Sequence, residues 1–203
     1  FETILFDVEF EMIESRAEIE RQIEVNELEK AEELLERYID FCNQRDTIQY
    51  QYYYQIKAII EHERGNLEDS IQYLKEAIRC TVPNFNLKEK RVVLFCVREI
   101  ELILMLTEEY YLIKNRKEAD RISGFLITYL EENYQDEEEL VKVYPKAVYL
   151  SLKYAADNVK RLQYVKHAER AFELLTRYGS FVFLAELMEM LIDIYHQINI
   201  EKK

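Results

Sequence analysis

Chain breakers are almost absent from this sequence: three glycines and two prolines serve 203 residues. Every backbone N–H and C=O must find a partner, and a chain so poor in turn formers can pair them only within long helices joined by tight connections. No stretch alternates apolar and polar residues long enough to build a sheet, and the most strand-like run, Tyr52–Tyr54, lies inside a helical period. The expected class is all-α, with about nine helices running antiparallel to their neighbours.

The rare breakers fall where such helices should end. In RGNLEDSIQYLKEAIRCTVP (Arg64–Pro83), Gly65 can take the left-handed conformation that closes a helix, and Asn66 can cap the next one, with Asp69 reaching back as a capping box. Leu67, Ile71, Leu74, Ala77 and Ile78 then form one apolar stripe, and Pro83 stops the helix. Before this unit, a first helix spans Glu2–Val25 and a second starts near Glu27 with Leu28, Ala31, Leu34, Leu35, Tyr38 and Ile39 on one face. Asp46 or Thr47 caps a third.

After it, the fifth helix, Leu87–Lys114, is apolar on almost every side and should lie buried between neighbours. The sixth follows Asn115. Asp136 and the Glu137–Glu139 run open the seventh, where acid favours the helix dipole, and Pro145 should kink that helix or delay its start. The eighth covers Arg161–Tyr178 and ends at Gly179; the ninth covers Ser180–Ile198. No segment reads as a linker, so residues 1–203 are expected to form one domain.

The ninth helix carries two apolar stripes. Phe181, Leu184, Ala185, Met188, Leu191, Ile192 and Tyr195 form one, and Val182, Phe183, Leu187, Met190 and Ile194 form the other. A terminal helix has a neighbour on one side only, so the second stripe is expected to be a homodimer interface; the alternative is that it folds onto the preceding hairpin or onto a missing domain.

Charge and motif content exclude several functions. A net charge of −13 repels phosphate backbones, which argues against direct nucleic-acid binding. The only compact basic cluster, Lys88, Lys90 and Arg91, is interrupted by Glu89 and reads as one turn of a solvated helix. Cys42, Cys80 and Cys96 are odd in number, far apart and without a CxxC, as expected of buried thiols in a reducing, cytoplasmic compartment. The first residue is Phe1, not Met, which implies a piece of a longer chain, and no signal peptide is expected. The most apolar run, Val92–Leu106, contains Arg98, Glu99 and Glu101 and is shorter than the roughly 20 residues of a membrane span.

Catalytic signatures are missing. His62-Glu63 begins a zinc-protease pattern that Asn66 breaks; His167 and His196 stand singly; no GxxxxGK[ST], GxGxxG or GxSxG occurs. The expectation is a protein that is not an enzyme and holds no metal or cofactor.

Tyr54, Ala58, Gly65, Asn66, Leu67, Ser70, Leu74 and Ala77 occupy the places of a tetratricopeptide repeat, with Pro83 one residue late. Leu28, Ala31, Leu35 and Tyr38, then Ala119, Ser123 and Leu126, then Val165, Ala168, Phe172 and Leu175 take the second-helix places of further hairpins. The small positions Ala31, Ser70, Ala119 and Ala168 lie farther apart than the standard ~34 residues, so the pattern resembles a divergent array with long helices, which implies a right-handed superhelix.

More broadly, ELEKAEELLERYIDFCNQ (Glu27–Gln44), YYYQIKAIIEHERGNLEDSIQYLKEAIRCTVPNF (Tyr52–Phe85), the long fifth helix and AERAFELLTRYGSFVFLAELMEMLIDIY (Ala168–Tyr195) resemble the C-terminal sensor half of XRE-type bacterial transcriptional regulators, the group related to Rgg and PlcR. The resemblance implies a module that dimerises and binds a short peptide, with DNA contacted only by a helix-turn-helix domain upstream and absent here. A scaffold that docks another protein, with no link to DNA, is the alternative.

In such an array the first helix of each hairpin lines a concave wall. The register of Tyr54 and Gly65 projects Tyr52, Gln55, Ile59 and His62 onto it, together with Arg16 and Glu20 from the first helix. Arg98, Glu101, Leu104 and Glu108 join from the fifth helix, and Lys146, Tyr149 and Lys153 from the seventh. Amide and guanidinium groups beside Tyr and Leu suit an extended peptide.

Overall fold

The computed structural model describes residues 2–42, 46–86, 94–155 and 158–201. Ten α-helices and no strand occur among them: α1 (Glu2–Glu24), α2 (Leu28–Asp40), α3 (Thr47–Glu63), α4 (Leu67–Thr81), α5 (Val97–Leu112), α6 (Arg116–Asn133), α7 (Glu137–Lys153), α8 (Asn158–Gln163), α9 (Val165–Tyr178) and α10 (Leu184–Glu201). The chain divides into two compact units, Phe1–Phe85 and Asn86–Lys203, with the division just after the Pro83 turn.

The first unit holds two helical hairpins, α1 with α2 and α3 with α4, joined through α2 against α3. Leu28, Ala31, Leu35 and Tyr38 recur along α2 at helical spacing and meet Ile19 of α1 and Tyr52, Ile56 and Ile60 of α3 in one core. Each Leu or Ile buried there contributes about 1.5–3 kcal/mol. Between α3 and α4 the small Ala58, Ser70 and Ala77 are fully buried and let the backbones approach, while Ile71, Leu74 and Ile78 fill the remaining space.

The hairpins repeat one connection. At the end of α3, Gly65 is left-handed (φ 80), its N–H donates to His62 O (2.8 Å), and the N–H of Asn66 donates to Glu61 O (2.8 Å). Asn26 after α1 (φ 62) and Lys114 after α5 (φ 61) reproduce the same pair of bonds. The residues that follow, Glu27, Asn66 and Asn115, share nearly one conformation, with ψ of 64, 64 and 63. Only one of these turns contains glycine, so sequence punctuation reveals only one.

In the second unit α5 packs on α6 and α7, α7 on α9, and α9 on α10. Ile100, Leu102, Ile103, Leu104 and Leu106 are all buried, as expected of a helix with neighbours on several sides. Its start differs: α5 begins at Val97, where the Glu99 carboxylate accepts the Cys96 N–H (2.7 Å). The expected segment from Leu87, with the cluster Lys88, Lys90 and Arg91, lies outside the described residues. The tenth helix arises because the expected eighth is broken at Tyr164 into α8 and α9.

Asp46 caps α3 as anticipated, accepting from the Gln49 N–H, and Asn115 and Asp136 likewise cap α6 and α7, accepting from the N–H groups of Glu118 and Glu138. Asn66 is different: its side chain donates to Glu61 (2.7 Å) and makes no cap bond, so no capping box with Asp69 forms. Pro145 neither delays nor divides α7, which runs from Glu137 to Lys153 with the proline buried inside it. No described helix is long and apolar enough to cross a membrane.

Candidate functional site

Three of the projected wall residues meet in the first unit. The Arg16 guanidinium lies 4.3 Å from the Tyr52 ring centroid, and the Tyr52 hydroxyl stands 3.4 Å from Arg16 O and 3.4 Å from Glu20 Oε1. Arg16 is also tied down by residues the periodicity did not point to: its Nε donates to the Tyr38 hydroxyl (2.9 Å) and its Nη2 to Gln49 Oε1 (2.5 Å). Tyr38 in turn donates to Gln49 and packs edge-on against Tyr52 at 5.3 Å. Burial raises the Tyr52 hydroxyl pKa, with the nearby Glu20 carboxylate adding to it, so the phenol stays neutral.

Tyr52 is 4% exposed and so lies beneath the α3 surface, not on it. Gln55, Ile59 and His62 continue its stripe up α3 and are half-buried. Beside them a second network binds α2 to α3. Lys57 Nζ reaches Glu32 (2.8 Å) and Glu36 (2.6 Å), and Arg64 bridges Glu32 (2.7 Å) and Glu61 (2.9 Å). Burial disfavours the Lys57 charge, but the hydrogen bonds to Glu32 and Glu36 outweigh it and leave the pKa raised. Hydrogen bonds from Lys57 and Arg64 hold the Glu32 carboxyl below its ordinary value.

The second unit brings other candidates together. Lys153 faces Glu108 at 3.8 Å and lies over the rings of Tyr149 (5.4 Å) and Tyr154 (5.0 Å), while Tyr149 packs against Phe183 (5.1 Å). Arg98 pairs with Glu101 one turn along α5 (3.5 Å), and Lys146 is half-buried on α7. Leu104 is 1% exposed and belongs to the core of its unit, because the apolar α5 is covered at that point.

The two stripes of the terminal helix are used the other way round from the sequence expectation. Leu187 and Ile194 are buried at 0% and 2%, and Met190 is half-buried, because α9 and α7 cover that face. Leu187 and Ile194 have no surface left for a second copy; Met190 and Phe183 are half-buried and only Val182 of the set is exposed. The other stripe faces outward, with Phe181, Met188, Ile192 and Tyr195 all exposed.

Reactive chemistry is not assembled around these residues. His167 serves a structural cluster: its Nδ1 lies 2.9 Å from Glu131, and the buried Tyr144 donates to Glu131 (2.8 Å) beside Arg170. The three thiols are not buried as expected, Cys42 and Cys80 being half-buried and Cys96 exposed because it precedes α5; partial desolvation still raises their pKa values, the opposite of activation. No group of His, Cys, Asp and Glu fit to hold a metal ion occurs among the described residues. A cavity of about 340 Å³ lies on α9, lined by Glu137, Lys166, Glu169, Arg170 and Arg177, and another of about 260 Å³ lies beside Phe95, Tyr129 and Tyr134. Neither contains a residue of the projected wall.

No protein-family model and no curated protein matches the chain. Among solved structures, a protein of Podosopora anserina described as a kinesin light chain with nearly identical TPR-like repeats is similar over 93% of this chain and 96% of its own, at 13% identity and a TM-score of 0.47. A point variant of it gives the same shares and identity with a TM-score of 0.48. BtubC (BKLC) of P. vanneervenii is similar over 89% of this chain and 78% of its own, at 10% identity and a TM-score of 0.46. The helical-hairpin fold of this chain rests on its own repeated turns.

Proposed function

We propose that the chain works by docking an extended peptide, or a segment of a partner protein, on the α1–α3 face of its first unit, and that it is not an enzyme. The observation that supports this reading is the stripe of Gln55, Ile59 and His62 on α3, set on a foundation that Tyr52, Arg16, Tyr38 and Gln49 hold in place. At successive turns Ile59 offers a peptide an apolar contact with the His62 imidazole beside it, while the Gln55 amide oxygen is buried beneath them. A rigid foundation lowers the ordering cost of binding.

The finer form of the proposal makes the chain the peptide-sensing, dimerising half of a transcriptional regulator. The acidic chain would then leave DNA to a helix-turn-helix domain ahead of Phe1 in the parent protein. Translating the gene upstream of Phe1 tests that form directly, since a reading frame with no such domain removes it. The docking proposal itself is tested by selecting peptides from a display library against the chain. Selected peptides should lose at least about tenfold in affinity on Ile59→Arg, equivalent to 1.4 kcal/mol. Affinity indifferent to Ile59→Arg and to His62→Ala contradicts it.

A further inference from the structure

The outward stripe of α10 has a chemistry of its own. Met188 (49% exposed), Ile192 (53%) and Tyr195 (42%) lie about one helical turn apart, with the exposed Ala185 a turn before Met188 and Phe181 (81%) in the segment that leads into the helix. Scattered exposed apolar side chains are ordinary, but Met188, Ile192 and Tyr195 stand in register on one side of α10, with Phe181 exposed just ahead of the helix. Beside them on the same helix stand Glu186, Glu189 and Asp193, all exposed, and α10 carries no Lys or Arg. On the opposite side the Tyr195 hydroxyl donates to Glu169 of α9. Of the α9 cations, Arg170 is turned to Glu131 and Arg177 to Glu137, while Lys166 stands one turn before Glu169.

We propose that this face docks a basic amphipathic helix of a partner protein. The apolar strip matches the apolar stripe of such a helix, and the acidic rail matches Lys or Arg on its flank. From Ala185 to Tyr195 the strip is about 15 Å long, enough for about three turns of a partner. A second copy is a poor occupant. It would bring Glu186, Glu189 and Asp193 of both copies to one seam, in chains that each carry a net charge of −13, with no cation on α10 to meet them. The surface is separate from the α3 stripe and stands or falls independently of it.

The test uses the whole chain and a fluorescein-labelled helical peptide of about 15 residues, with Leu at one-turn spacing and Lys on both flanks. Two controls have the same length: the Glu-for-Lys analogue, and a scrambled peptide of identical composition. Anisotropy should show binding of the Lys peptide only, weakening about tenfold between ~50 and ~300 mM salt. Ile192→Asp, and separately the double change Glu189→Lys with Asp193→Lys, should each cost about tenfold or more. Ile59→Arg should leave binding unchanged. All of these side chains are partly or fully exposed, and thermal melts confirm that the variants stay folded. Equal binding of the scrambled peptide would reduce the effect to bulk charge attraction and overturn the proposal. So would binding that Ile192→Asp leaves intact, loss of binding on Ile59→Arg, or light scattering that shows a dimer dissolved by Ile192→Asp.

Discussion

Arg16 is engaged by three aromatic and amide partners from two other helices, and its guanidinium faces the Tyr52 ring instead of a carboxylate. Two hydrogen bonds and a cation–π contact in a half-buried site predict that Arg16→Ala lowers unfolding free energy by about 1–3 kcal/mol, measured by urea titration. Arg16→Lys should restore little of it, because an ammonium cannot reproduce the planar fork that reaches Tyr38 and Gln49 together. The helical register of α1 brings Arg16 to the same place as Tyr52. Its partners were not legible, since Tyr38 and Gln49 lie 22 and 33 residues away and meet it only once α2 and α3 have packed. Glu32 supplies a pH dependence. Its carboxyl is held below the ordinary value of 4.5 by hydrogen bonds from Lys57 and Arg64. A carboxyl with a depressed folded pKa stabilises above its unfolded value, and that stabilisation is lost as pH falls through the folded value. The melting temperature should therefore fall as pH drops below about 4.5, and Glu32→Gln should flatten that fall.

At the scale of elements, the left-handed residue that closes α1, α3 and α5 carries the repeat. Gly65 marks its turn openly; Asn26 and Lys114 do not, because the two closing bonds can be made by any residue that accepts the left-handed backbone. A Cβ at Gly65 would meet nothing within 4 Å, so Gly65→Ala isolates the backbone cost and should destabilise by about 1 kcal/mol. The converse change, Lys114→Gly, relieves strain at φ 61 and should stabilise by up to ~1 kcal/mol, in chemical denaturation of the whole chain. Small-to-large changes should hurt where helices approach most closely: Ala77→Leu, at 0% exposure between α3 and α4, should cost about 1–3 kcal/mol. The amphipathic faces of α2 and α4 were legible because each has one apolar stripe. The facing of α10 was not, since it has two, and the choice between them is made by the contacts of α7 and α9. For a related reason, Pro145 does not delay α7. A proline costs a helix one N–H and a steric clash, and the burial of Tyr144, Pro145, Ala147 and Val148 holds α7 together across it.

At the scale of the whole molecule, the chain comprises two compact units, each with its own buried residues. Glycine and proline scarcity is enough to read an all-helical chain; the division leaves no mark in the sequence, which has no Gly, Ser or Pro between Asn84 and Leu94. The account's central claim is that the α3 stripe is a docking surface. Hydrogen–deuterium exchange of the whole chain, with and without a peptide selected to bind it, tests this most directly. The account predicts slowed exchange in the half-buried stretch of α3 around Gln55, Ile59 and His62 and in the adjoining part of α1 around Arg16 and Glu20. Unchanged exchange at both stretches under saturating peptide, with protection elsewhere, would contradict it.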